Sequence, residues 1–395
     1  MVGKNQEKVD IIMFNMSSAY EWHDGVHNRN YHILQTLRDD PRINRIISID
    51  YAPWTWTKMI KQFWFGYLDW SNKAPVLYRS VFTKARQLST DWINISSVMP
   101  YFHEDRFWSE LNKIINNLEI GDDAIIWSYN PLLSNYLSAV KGRAYIFEAV
   151  DDWRLHPSYQ TITKLLDGHY RRIAEKSDFI FTVADELTAI FNQPSKTFWL
   201  PNAVDWQHYQ QKFSLLDRAI SDLPRPIIGY MGIILGRLDS DIITYLAEHN
   251  PTKSIALVGS YRGKTHYWDK ALIEKLKKYN NIHLLGFVPY DKTPMYIQQF
   301  NVAIIPHRVD GYVSTTNPMK MYEYLACGRP VVATPAPGID MFSSIRVASN
   351  PADFNQAVIK ELAEDNEEKQ EMRRQSVRQH TWQARVDKML SFILD

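Results

Sequence analysis

The sequence predicts an α/β protein with parallel sheets in two domains. Short runs rich in Val, Ile and Phe recur along the chain, such as VDIIMFN (9–15), AYIFEAV (144–150) and SIALVGS (254–260). They show no polar alternation, as strands buried on both faces require. Segments with helical spacing separate many of them, so strand and helix alternate as in βαβ units. At 395 residues the chain is long enough to bury two cores.

VDIIMFN is the first strand. A polar loop, MSSAYEWHDGVHN, leads into a helix from about Arg29 to Arg38, and RIISIDYAP (45–53) is the second strand. No G-x-G-x-x-G follows the first strand, which argues against a nicotinamide or flavin site. Residues 53–70 place Trp54, Trp56, Phe63, Trp64, Phe65, Tyr67 and Trp70 beside Lys58 and Lys61. Two readings stand: a helix lying in a membrane interface, or a connection whose rings are core. A basic segment (Lys84, Arg86), a helix around 105–118 and the strand DAIIWSYNP (123–131) follow. AYIFEAV runs into Asp151-Asp152-Trp153. Carboxylates at a strand's carboxyl end lie where open α/β sheets bind ligands, and they equally suit N-capping of the next segment. Next come a helix (163–176), the strand DFIFTVA (178–184) and FWLPNAVD (198–205), where Asn202 shapes a turn. LPRP (223–226) is read as the hinge, stiffened by two prolines.

The second half opens with PIIGYMG (226–232), whose glycines permit a ligand close to the backbone. GRLD (236–239) supplies Arg237, SIALVGS ends in Gly259-Ser260, and NIHLLGFVP (281–289) is a further strand, with a helix over 291–300. NVAIIP (301–306), a polar loop from His307 to Thr316, the helix within NPMKMYEYLACG and the strand PVVAT make one βαβ repeat. Asn317 is predicted as its N-cap, Pro318 as the first helical position and Gly328 as the C-cap. The N-terminus of that helix faces the carboxyl edge of the sheet, where free N–H groups and the helix dipole attract phosphate. Glu323, mid-helix, suits two hydrogen bonds from a vicinal diol such as a ribose; pairing with Lys320 at i,i+3 is the plainer reading. HTWQARVDKMLSFILD (380–395) carries Trp382, Val386, Met389, Leu390 and Ile393 at helical spacing.

Hydrophobic residues at 45% and charged residues at 23% describe an ordinary globular protein, and a net charge of +1 gives no electrostatic case for nucleic acid. The single Cys327 excludes disulfides and a Cys-based metal site. No signal peptide and no apolar run near about 18 residues is read, so no membrane span is expected, and the single cysteine points to a reducing cytoplasm. The composition stands out in its 13 Trp, 22 Tyr and 17 Phe. Asp239-Ser240-Asp241 is formally a metal-binding Asp-x-Asp, but the helix start at 317 favours the metal-free way to stabilise a leaving phosphate.

PxKxYEYLACGxPVVAT, preceded by a strand ending in Pro, resembles the donor-binding segment of retaining GT-B glycosyltransferases of the large family 4. The resemblance spans nearly the whole chain and is most specific over 301–335. It implies an α/β GT-B fold of two Rossmann-like α/β/α domains facing each other across a cleft. Residues 1–222 would be the acceptor-side domain, 223–378 the nucleotide-sugar domain, and 379–395 a helix crossing back to the first. In the family's Glu-x7-Glu motif the second Glu meets the ribose, and Glu323 matches it. Thr315 stands where the first Glu falls, a departure shared with a subgroup building bacterial surface polysaccharide, which WSYNP…EAVDDW also resembles.

The resemblance implies Asp151, Arg237 and Lys320 as catalytic. Arg237 matches the Arg of a Gly-Arg…Lys-Gly segment that grips the diphosphate; the Lys is missing, with Lys320, Arg262, Lys264 and Arg308 as substitutes. Gly232, Gly259, Ser260, Phe287, Val288 and Glu323 would bind the nucleotide, Phe287 and Val288 through the base. Thr315, Thr316, Asn317 and Arg308 would meet the donor sugar and phosphates. Trp22, Arg29 and Asp152 would lie on the acceptor side. The implied reaction is retaining, metal-free transfer from a nucleotide sugar, first of all a UDP-sugar, to a glycan or lipid-linked acceptor. It needs no cofactor and takes place in the cytoplasm or at the inner face of the plasma membrane, which 53–70 would touch. A sugar-nucleotide epimerase, or an inactive subunit binding a partner transferase, are the alternatives, the latter resting on Thr315.

Overall fold

The computed structural model describes residues 8–51, 56–68, 73–100, 103–261 and 269–394. They divide into two units. The first comprises the chain to Thr182, Leu187–Leu200 and the residues from Val386; the second comprises Val183–Glu186 and Pro201–Arg385.

The first unit holds a nine-stranded sheet. Its strands are β1 (Val9–Phe14), β2 (Ile43–Tyr51), β3 (Val76–Arg79), β4 (Thr83–Ser89), β5 (Trp92–Ser97), β6 (Ile125–Ser128), β7 (Ala144–Ala149), β8 (Phe179–Thr182) and β9 (Thr197–Trp199). Their order is β3-β4-β5-β2-β1-β6-β7-β8-β9, and only the pairings of β4 with β3 and β5 are antiparallel. The uninterrupted apolar runs of β1, β6 and β7 are buried as continuous runs must be in a sheet covered on both sides. The helix Arg29–Arg38 begins at Asn28, whose side chain accepts from the Tyr31 amide at 3.1 Å. Residues 56–68 form a helix, Trp56–Lys61, that widens into a π-helical turn, Gln62–Leu68; 53–55 and 69–70 of the aromatic stretch lie outside the described residues. The hairpin β3–β4 and strand β5 have no counterpart in the sequence expectations.

The second unit is a six-stranded parallel sheet of β10 (Ile227–Met231), β11 (Ser254–Val258), β12 (Ile282–Gly286), β13 (Val302–Ile305), β14 (Val331–Ala333) and β15 (Ile345–Val347). The order β12-β11-β10-β13-β14-β15 is that of a dinucleotide-binding sheet, reversing between β10 and β13. Alternate residues of β10 enter two cores. Ile228 and Tyr230 pack with Ile242, Ile243, Leu246, Phe354 and Val358. Ile227 and Met231 pack with Met321, Tyr322, Tyr324 and Leu325 of the helix Met319–Ala326.

The boundary between units differs from the one the prolines suggested. Residues 201–222 belong to the second unit, because Val204, Tyr209 and Ile220 are buried in its core. LPRP is no free hinge: Leu223 packs on that core and the Pro226 carbonyl accepts from the Ser254 amide at 3.1 Å. The helix read over 291–300 is shorter, Thr293–Ile297, entered through a 3₁₀ turn at Tyr290–Lys292. No helix among the described residues is long and apolar enough to cross a membrane.

Candidate functional site

In a sheet of this order ligands bind beyond the carboxyl ends of the strands where the order reverses, here β10 and β13. Three loops are joined at that edge. The Gly232 amide donates to Val258 O, the Gly259 amide to Gly286 O and the Ile234 amide to Ser260 O, at 2.8, 2.8 and 3.0 Å. Gly232 and Gly259 have φ of +142° and +147°, which side chains rarely adopt, and a Cβ on Gly259 would run into the Gly232 carbonyl. The backbone is bared there because nothing larger fits.

Over this edge stand the cations. Lys320, in the first turn of Met319–Ala326, carries its ammonium 5.2 Å from the Tyr230 ring centroid and 3.5 Å from His307 Nε2. A Cβ on Gly232 would touch Lys320 Nζ at 3.4 Å, so ammonium and bare backbone share one space. Arg237 follows β10, and its Nε is buried without a hydrogen-bond partner. Burial, with the Arg237 charge beside it, lowers the Lys320 ammonium to about 7, against the pull of Glu323. Burial also drives His307 well below its ordinary value, and Lys320 and Arg237 add to this, so the ring is neutral. A half-desolvated group of cations beside free backbone suits a multiply charged anion.

Glu323 lies one turn beyond Lys320. Burial raises its carboxyl, while Lys320 and Tyr209 hold it back. The two act on each other through space; no ion pair among the described residues joins them. Phe287 is exposed beyond β12 and Val288 packs on the core, leaving a ring surface at the same edge.

Several predicted site residues are placed differently. Asn317 is not the N-cap; Pro318 is, with no side-chain cap. Asn317 is buried, its Oδ1 accepting from the Asn202 amide at 3.0 Å and the Tyr322 hydroxyl at 3.1 Å, while Asn202 Nδ2 donates to its carbonyl at 2.6 Å. The distant peptide displaces the local cap. Thr315 and Thr316 lie at the end of a 3₁₀ turn, and their hydroxyls donate back to Tyr312 O and Val313 O at 2.9 and 3.0 Å. Arg308 is exposed and pairs with Asp310 at 3.2 Å. Arg262 and Lys264 lie outside the described residues. Asp239 caps the helix Ser240–His249 and Asp241 pairs with Lys275, so that Asp-x-Asp serves the fold. Among the described residues no three His, Cys, Asp or Glu converge as metal ligands.

In the first unit Asp151 is half-buried just past β7. Asp152 is buried and holds Arg154 through both carboxylate oxygens. Trp22 is buried between Tyr31 and Trp92. Arg29 Nε meets Glu148 Oε2 at 2.7 Å with both side chains inside the core. These four are therefore not gathered on one open surface. His307 and Tyr230 are the site residues that sequence reasoning passed over; the available signal was position, each standing at the carboxyl end of a strand flanking the reversal.

The family described as Glycosyl transferase-like matches residues 240–391. A Bacillus subtilis (strain 168) protein named "Putative teichuronic acid biosynthesis glycosyltransferase TuaH" is 21% identical over 407 residues, covering 98% of each chain. The sucrose-phosphate synthase of Thermosynechococcus elongatus superposes with a TM-score of 0.71 at 14% identity, over 98% of each chain. Anabaena HepE in complex with UDP-glucose gives 0.63 at 15% identity, over 97% of this chain and 99% of that one. At these identities the structures establish the fold, and the chain has the GT-B fold.

Proposed function

We propose that the protein is a glycosyltransferase that moves a sugar from a nucleoside diphosphate donor, with UDP first, to a glycan or lipid-linked acceptor in bacterial surface-polysaccharide synthesis. The observation that carries it is the group Arg237, Lys320 and neutral His307 over the bare backbone of Gly232. Breaking a glycosyl–phosphate bond leaves negative charge on the diphosphate. Preorganised cations and a helix start lower that barrier without a metal. Glu323 would take the ribose hydroxyls and the exposed Phe287 the base. The B. subtilis relative is named for teichuronic acid biosynthesis, and HepE holds UDP-glucose. Retention is the stereochemical reading that goes with the sequence resemblance; there the donor's own phosphate oxygen takes the acceptor proton, and no side-chain nucleophile is needed.

The test is titration of UDP, GDP, ADP, TDP and CDP into the wild type, Arg237→Ala and Glu323→Ala, with magnesium or with EDTA. Donor turnover is then followed as diphosphate release. Selective binding of one diphosphate, indifferent to EDTA and weakened in both variants, is expected. Binding of none would favour a non-catalytic subunit, and epimerised nucleotide sugar formed without acceptor would favour an epimerase.

A further inference from the structure

The aromatic segment of the first unit presents its rings outward from a clamped base. Gln62 Nε2 donates to Ser96 Oγ at 2.6 Å, and the buried Tyr67 hydroxyl donates to Ser80 O at 2.5 Å. From β4, Lys84 Nζ donates to Tyr67 O at 2.6 Å, and Arg86 reaches Gly66 O and Leu68 O at 2.8 and 3.0 Å. The carbonyls that a helix end leaves open are thus taken by two buried cations. On the other side Ile60, Trp64 and Phe65 are 57%, 55% and 56% exposed, with Phe63 beside them. Val81, next to the Ser80 that Tyr67 grips, is 69% exposed, and Val76 and Leu77 of β3 are exposed as well. Apolar surface held out by a rigid support marks an interaction face.

Charge selects the occupant. Of the cations along this segment, Lys73 and Arg79 are exposed, Lys61 meets Glu21 at 3.3 Å, and Lys84 and Arg86 are buried on the carbonyls of Gly66–Leu68. Asp69 is the one acid in the sequence from 56 to 90. Protein interfaces are poor in Lys, whereas aromatic rings flanked by Lys and Arg suit anionic lipid headgroups. We propose that Ile60, Phe63, Trp64 and Phe65, with the exposed Lys73 and Arg79, form a docking face for an anionic membrane surface. The rings enter the headgroup layer while the cations meet lipid phosphate. Neither signal alone gives firm anchoring; both together do. This inference is independent of the proposed transfer reaction.

The full chain is sedimented with vesicles of phosphatidylcholine, with and without phosphatidylglycerol. Binding only to the anionic vesicles, weakened by salt, is expected. Trp64→Ser/Phe65→Ser should lower partitioning about tenfold or more, and Lys73→Glu/Arg79→Glu should abolish the preference for anionic lipid. Both variants should melt with the wild type. A wild type that stays in the supernatant, or a Trp64→Ser/Phe65→Ser variant that sediments like wild type, overturns the proposal. Self-association lost in that variant, without vesicle binding, also overturns it and assigns the face to a second copy.

Discussion

Lys320 Nζ lies 3.5 Å from His307 Nε2, and the two cannot both carry a proton's charge cheaply in the space they share. The groups facing Lys320 are His307, Arg237, Glu323 and the Tyr230 ring, and the ammonium falls to about 7 with burial as the main cause. Below pH 7 Lys320 carries its charge; above it the amine is neutral. A bound diphosphate restores the charge, so binding above pH 7 takes up a proton. Affinity for UDP should fall by up to about tenfold per pH unit above 7 in the wild type. Lys320→Arg should flatten the profile. Calorimetry in two buffers of different ionisation enthalpy reads the proton directly.

Glu323 separates stability from binding. Burial opposes its ionisation, so Glu323→Gln should leave the melting temperature unchanged or higher. Nucleotide affinity should fall about 10- to 100-fold, the worth of charged hydrogen bonds to a ribose. A variant that binds UDP like wild type would remove the ribose assignment.

The Asn202–Asn317 pair predicts the opposite split. Asn317→Ala removes the oxygen that accepts from the buried Asn202 amide and from the Tyr322 hydroxyl, leaving the hydroxyl its weaker contact with Met341 Sδ at 3.8 Å. A loss of about 2–4 kcal/mol in urea unfolding is expected, from about 1–3 kcal/mol per buried group that loses its acceptor. In folded protein at low temperature, UDP affinity should change less than in Glu323→Gln.

Arg29 was expected on the acceptor side, and its burial against Glu148 makes a structural role the prediction. Arg29→Met leaves a buried carboxylate and should cost about 3–5 kcal/mol, most of it recovered in Arg29→Met/Glu148→Leu. Lost turnover with unaltered unfolding would return Arg29 to the acceptor.

The sequence was most legible where the signal is local. The runs that became β1, β7, β11 and β13 need only hydrophobic continuity, and Gly328 at φ +73° follows the helix end, with the Arg329 amide on Tyr324 O at 2.9 Å. Legibility failed where a distant partner decides. Asn317 reads as an N-cap until the Asn202 peptide, 115 positions away, takes its side chain. Strand β4 contains Lys84 and Arg86, whose burial makes sense only beneath the carbonyls of Gly66–Leu68. The aromatic stretch had no period to divide it, and the structure divides it residue by residue, Tyr67 inward and Trp64 outward.

The last helix, Trp382–Leu394, bears on how the protein is made. Val204 N donates to His380 O at 2.9 Å and Arg385 Nε to Pro201 O at 2.8 Å, within the second unit. In the first unit Phe392 stacks on Phe198 at 4.1 Å, and Met389 and Leu390 are fully buried. A nascent chain that stops after Arg385 therefore holds all of the second unit but lacks the residues from Val386 that complete the first. The unit begun first is finished last: Phe198 waits for Phe392 until the whole of the second unit has been made.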